Sequence, residues 1–398
     1  MNRLALLLVS LAFIAAACGG SAAVEEADDG APAGATEAPA AAEQAEPAAE
    51  GGSNESEAPD QAAQEETQAS PPPGDTPSGR EIMITPDFED DLNVSSRGWD
   101  TDFSRHTVRL DEFLSGGPGK DGIPAIDEPT FVSVQDAEAQ LEGREPIVAV
   151  EVDGIVRGYP IRVLIWHEIV NDTIGDVPVS VTFCPLCNTA IAFDRRLGER
   201  VLDFGTTGNL RNSDLVMFDR QTETWWQQFG GEGIIGELAG ELLTQVPATV
   251  VAWEDFAAQN PNAEVLSQNT GFSRPYGQNP YVGYDTIDQP PFFPVENLDD
   301  NRLPPKERVV LIDRPSGTVA IAFGALAAAG TIEVEIDGEL LTVEFVPGVS
   351  TALGSQSIPD GEDRGSARVT DENGSLVAFD TPFWFAVAAF RPNATIIQ

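Results

Sequence analysis

Arg144-Glu-Pro-Ile-Val-Ala-Val150 opens a stretch, residues 144–187, that recurs further along the chain as residues 306–349. Lys306-Glu-Arg-Val-Val-Leu-Ile312 stands in its place there, and each residue meets one 162 positions on without a gap. Val177-Pro-Val-Ser-Val-Thr-Phe183 falls on Glu339-Leu-Leu-Thr-Val-Glu-Phe345, and Pro185 falls on Pro347. Downstream, Asp219 is set against Asp371 after a shortening of ten. Trp253 with Pro261-Asn-Ala-Glu-Val-Leu266 then meets Trp384 with Pro392-Asn-Ala-Thr-Ile-Ile397. Self-similarity in a constant order marks a repeated structural unit. The expected fold is mainly β, a β-rich α+β body. It is built by internal tandem duplication of a β unit, with its halves about a pseudo-two-fold axis.

Within the first copy, Pro146–Val152, Ile155–Tyr159, Val177–Phe183 and Ala190–Asp194 are short runs of Val, Ile, Thr and Phe. Asp153-Gly154 and Gly175-Asp176 bound them as turns, which is the signature of strands joined in hairpins. Pro160–Trp166 reads as a helical turn and Glu254–Asn260 as a short helix. Residues 144–266 thus form the first β repeat and 306–398 the second. Between them, 267–305 is dense in Pro and aromatic residues and reads as an ordered crossover, because those aromatics need burial. Residues 81–143 read as an N-terminal arm packed on the body.

Two copies of one scaffold act as an internal control, since what the second lacks the scaffold does not need. Phe183-Cys184-Pro-Leu-Cys187-Asn188 is matched by Phe345-Val346-Pro-Gly-Val349-Ser350, so both cysteines become valine while the proline stays. His167 falls on Ala329, and Met217 falls on Val369 when counted from the aligned aspartates. Cys184, Cys187, His167 and Met217 are therefore the candidate metal ligands. Soft donors of these types favour copper, with zinc as the alternative through Cys2His completed by a carboxylate or water. Three readings of the CxxC stay open: a disulfide staple, a redox pair, or a metal knuckle formed by a strand, a Cys-Pro-x-Cys turn and a returning strand. A thioredoxin-like pair needs its first thiolate at a helix N-terminus. Here Thr189-Ala-Ile-Ala-Phe193 alternates like a strand. Glu168 is placed to orient His167 or supply a proton. The stretch Gly208–Asp214 reads as a polar loop, and with the Trp pair that follows it offers a ligand pocket of Arg211, Asn212, Asp214, Trp225, Trp226 and Gln227.

The chain ends add an address and a charge. Residues 1–18 read as a lipoprotein signal peptide: Arg3, an apolar run from Leu4 to Ala17 too short to span a bilayer, then small residues before Cys18. Acylation of Cys18 would anchor the protein to a membrane outside the cytoplasm. Residues 19–80 are rich in Ala, Glu, Pro and Ser with no aromatics, a composition expected to be a disordered acidic tether. The whole chain has 65 Asp and Glu against 22 Lys and Arg, a formal charge of −43. That excludes electrostatic nucleic-acid binding, which requires a basic surface to displace counterions.

Trp166-His-Glu-Ile-Val-Asn-Asp172, Phe183-Cys-Pro-Leu-Cys-Asn188, Arg211-Asn-Ser-Asp-Leu-Val-Met-Phe-Asp-Arg220 and Thr224-Trp-Trp-Gln-Gln228 are long, specific strings. In these the chain resembles the bacterial family catalogued as domain of unknown function 3179, from about residue 117 to 398. That resemblance implies no activity. From the residues alone, the expectation is an exported, lipid-anchored protein that binds copper, with a copper-handling or electron-transfer role and a redox or metal-transfer partner. The alternatives are a thiol–disulfide oxidoreductase with His167 as base, or a non-catalytic ligand-binding or partner-binding module.

Overall fold

The computed structural model describes residues 78–398. The signal segment, Cys18 and all of the tether except residues 78–80 lie outside the described residues. Strand accounts for 38% of the structure and helix for 13%, so the fold is mainly β, spread over several sheets.

From residue 146 the chain forms strands Pro146–Val152 and Ile155–Pro160, helix Ile161–His167, then strands Ile169–Ile174 and Val177–Cys184. From residue 309 it forms strands Val309–Arg314 and Gly317–Ala322, helix Phe323–Ala329, then strands Thr331–Ile336 and Glu339–Val346. Local chemistry sets the turns. Asp153 and Gly154 both have positive φ, as do Asp337 and Gly338, which is the backbone a tight two-residue hairpin demands. Each series closes with a short helix, Trp253–Gln259 or Trp384–Phe390, and an end strand, Glu264–Leu266 or Thr395–Ile397. Both end strands run parallel to the second strand of their own series, Val265 opposite Gly158 and Ile396 opposite Ala320.

The two series differ in what covers them. Val177–Cys184 is buried along almost its whole length, whereas Glu339–Val346 leaves Glu339 and Leu340 exposed and Glu344 half-buried. A strand buried on both faces needs a second layer, and the first series supplies one. Residues 204–235 fold into four consecutive antiparallel strands, Phe204–Arg211, Asp214–Asp219, Trp225–Gln227 and Glu232–Ile235. Three short strands from 81–143, at Met83–Ile84, Arg105–His106 and Phe113–Ser115, extend these to a seven-stranded sheet. One hydrophobic core then runs from Phe183 and Trp226 through Leu353 to Phe383 and Trp384, joining both series. Each such side chain, fully buried, contributes about 1.5–3 kcal/mol.

Among the described residues the second series has no counterpart of that sheet. After Val346 its chain returns as Ser366–Thr370, which pairs Val369 with Val343. In the first series the residue facing Val181 in this way is Ala192, on strand Thr189–Asp194. Setting Met217 against Val369 is therefore corrected. Val369 occupies the place of Ala192, and Met217 lies on a strand present only in the first series.

Candidate functional site

Val177–Cys184 and Thr189–Asp194 form a hairpin with Cys184 opposite Thr189. The turn between them is Pro185–Asn188, closed by Asn188 at φ 59, a left-handed conformation that Asn tolerates better than most residues. This is the strand, turn and returning strand expected from the sequence. Both thiols are free and buried, with Cys184 1% and Cys187 0% exposed.

The third member comes from the neighbouring sheet. Strand Phe204–Arg211 turns through Asn212 and Ser213, both at positive φ, directly into strand Asp214–Asp219. The polar stretch expected to be a loop is thus a tight, buried hairpin. Its polar residues are internal because they hydrogen-bond one another and the site. The Cys187 thiol donates to Asp214 Oδ1 at 2.8 Å and lies 3.0 Å from Thr189 Oγ1. Asp214 Oδ2 accepts from the Phe229 backbone N–H at 2.9 Å and from Gln227 Nε2. Arg211 Nη1 donates to Gln227 Oε1 at 3.1 Å, and its own charge is met by Glu112 at 2.5 Å. Thr189 Oγ1 donates to Gln228 Oε1 at 2.7 Å, and Gln228 Nε2 to Thr182 Oγ1 at 2.9 Å. The ligand atoms of Cys184, Cys187 and Asp214 all lie within 4.8 Å of one another.

These groups are acids collected in a buried place, and among the described residues Asp214 and Glu168 form no ion pair. Burial pushes the Cys187 thiol well above its usual range and the Cys184 thiol upward. It also raises Asp214, against the hydrogen bonds from Cys187, Phe229 and Gln227 that favour its ionised form. Burial, with the charge of Asp214 nearby, pushes Glu168 up to about 8. Burial drives Asp380, which Asp214 also influences, up to about 7. Two buried charges elsewhere in the first series are paired. Glu145 is bound by Arg162 Nη2 at 2.6 Å, and Arg157 holds Asp172 at 2.7 Å.

The other residues singled out from the sequence have different surroundings. Both ring nitrogens of His167 are engaged, Nδ1 with Pro124 O at 2.8 Å and Nε2 with Tyr276 Oη at 2.7 Å. Burial lowers its pKa to about 4, so the ring is neutral near pH 7. The three-residue group does not contain His167, and Met217 is buried in its strand opposite Trp226. Trp225 packs edge-on against Trp99, Phe103 and Phe113, and the Trp226 indole donates to Asp219 Oδ2 at 2.9 Å. Both are core residues. Asn212 Oδ1 accepts from the Glu296 backbone N–H at 2.9 Å and so ties the hairpin turn to the crossover. Asp214 belonged to the expected pocket and not to the expected ligands; nothing in its sequence spacing relates it to the CxxC.

A family described as protein of unknown function (DUF3179) matches residues 120–394. No curated protein and no solved structure matches the chain.

Proposed function

The chain belongs to the DUF3179 family, whose description assigns no activity, and from the site alone we propose that the protein holds a divalent metal ion on Cys184, Cys187 and Asp214. The observation that carries this reading is the convergence of three buried ligand atoms, two sulfurs and one oxygen, within 4.8 Å. In a tetrahedral zinc site with bonds of about 2.0–2.3 Å, ligand atoms stand roughly 3.5–3.8 Å apart, so small adjustments suffice. Two thiols and one carboxyl crowd together, and among the described residues no ion pair is made to that carboxyl. A dication would favour the ionised forms that burial opposes.

A carboxylate beside two thiolates suits zinc better than copper(I), which prefers sulfur alone or sulfur with imidazole. Burial also argues for a metal that is retained. Transfer proceeds by an incoming ligand reaching the ion, and side chains 0–1% exposed leave no approach. The metal would join hairpin Val177–Asp194 to the sheet of Asp214, fixing two layers of the body. We place this centre in an exported protein anchored to a membrane by acylation at Cys18. Thiol exchange has less support. It needs a thiolate accessible at ordinary pH, and both thiols are buried with raised pKa values.

The test is metal analysis of the full chain purified without oxygen and reconstituted with zinc, beside a Cys184→Ser/Cys187→Ser variant. One equivalent in the wild type and none in the variant is expected. A wild type that takes no zinc, or a variant that takes as much, refutes the reading. Copper(I) displacing zinc in matched competition returns the assignment to copper.

A further inference from the structure

Helix Ile161–His167 ends on Glu168 at φ 59 and ψ −28. Left-handed backbone just past a helix is the usual seat of glycine, because a Cβ there crowds the carbonyl that follows. At the matching place, helix Phe323–Ala329 ends on Gly330 at φ 75.

The two helix ends are otherwise built alike. Glu168 N–H donates to Leu164 O at 2.7 Å, and Gly330 N–H to Leu326 O at 2.8 Å. Glu168 O accepts from Phe183 N–H at 2.8 Å, and Gly330 O from Phe345 N–H at 2.9 Å. The cap therefore works with glycine, and the glutamate side chain adds nothing to it. Nor is that side chain spent elsewhere. Glu168 is 7% exposed, and among the described residues its carboxylate makes no hydrogen bond or ion pair. It stands opposite Phe183, one residue from Cys184, within electrostatic reach of both Cys184 and Asp214. A strained conformation and an unpartnered buried carboxylate are thus kept together on the residue whose backbone pairs next to Cys184, with the carboxylate itself outside the group of three ligand atoms and free to turn toward it. Strain held at such a place is a reason to look for function.

We propose that Glu168 is the fourth ligand arm of the centre, making the site Cys184, Cys187, Asp214 and Glu168. This rests on the metal reading above and extends it. Four protein ligands make a closed site, with no position left for substrate or catalytic water. Loading with zinc involves no change of oxidation state. The two thiol protons, and any on the carboxyls, pass to solvent as two thiolates and two carboxylates close on the ion.

The experiment compares the full chain with Glu168→Gln and Glu168→Gly by zinc titration against a competing chelator, with cobalt(II) as a spectroscopic probe of the ligand set. Both variants are expected to bind zinc at least about tenfold more weakly and to shift the cobalt bands, as loss of a ligand requires. Metal-free Glu168→Gly is expected to melt above the wild type, since glycine relieves the strain; Glu168→Gln keeps the strained backbone and controls for folding. Wild-type affinity and an unchanged cobalt spectrum in both variants overturn the proposal while leaving the three-residue centre intact. A lower melting temperature for metal-free Glu168→Gly also overturns it, by marking the side chain as structural. A wild type that binds no zinc overturns both readings together.

Discussion

The Glu168 carboxyl makes the stability of the metal-free protein depend on pH in a direction opposite to ordinary acid denaturation. Its pKa is about 8 in the folded chain, raised by burial from 4.5. Between those values the folded state binds the proton and the unfolded state releases it. Stability is therefore present at low pH and lost as pH rises toward 8. Integrated from pH 5 to pH 7, the loss is about 2–3 kcal/mol. His167 works against it. Its folded pKa of about 4 lies below the usual 6.5, so its contribution grows as pH rises over the same window. The wild-type profile is thus a sum of opposed slopes, and the informative quantity is a difference. Urea unfolding of wild type and Glu168→Gln in chelator, at pH 5, 6 and 7, isolates it. The variant should gain about 2–3 kcal/mol on the wild type across that range. A constant difference at all three pH values would show that Glu168 is not held protonated, and the dry acid cluster would fall with it.

Replacing the ligands expected from sequence separates them from those the geometry supports. Met217→Leu, a volume-conserving change in a packed strand, should cost less than about 1.5 kcal/mol and leave zinc affinity unaltered. His167→Gln should likewise leave zinc bound one to one, although losing the contacts to Pro124 and Tyr276 lowers the melting temperature; a loss of zinc would restore His167 to the site. Glu145→Ala leaves Arg162 buried without its partner and should destabilise by about 3–5 kcal/mol in denaturant unfolding. Gly208→Ala should yield little folded protein on expression. Its φ is +74, and a Cβ would stand 2.0 Å from Pro118 O.

Much of the fold could be read in the chain because local signals and burial agree there. The strands of 146–184 carry β-branched runs bounded by Asp-Gly turns, and the series 309–346 repeats them with the same spacing. The polar strands from Phe204 to Asp219 could not be read this way. Thr206, Asn209, Arg211 and Asp214 look solvated by composition, yet all are buried, and Thr206, Arg211 and Asp214 are each met by a partner from another part of the chain. The same limit applies to the site. Cys184 and Cys187 are neighbours in sequence and their turn is written in four residues. Asp214 reaches them only because its sheet is laid over the hairpin, a tertiary fact with no local pattern. His167 is close to the thiols along the chain, but its helix points the ring toward Pro124 and Tyr276.

The arrangement of charge bears on what the second series can do. Three buried charges of the first series are met by opposite ones, Glu145 by Arg162, Asp172 by Arg157 and Arg211 by Glu112, whereas buried Asp219 is held by Trp226 and Thr222 and buried Lys306 by Tyr284 O. Arginine is thus available to the first series and is used there. Among the described residues no such partner is supplied to Asp214 or Glu168. An unpaired buried carboxylate costs several kcal/mol unless it takes up a proton, and a protonated one still needs its hydrogen bonds. The second series shows the cheaper solution to the same backbone problem. Val346 and Val349 stand for the thiols and Gly330 for Glu168, with the cap hydrogen bonds kept. The matching backbone is thus held without sulfur, without the acid and with glycine at the left-handed position, which is the comparison that the proposed metal centre is meant to account for.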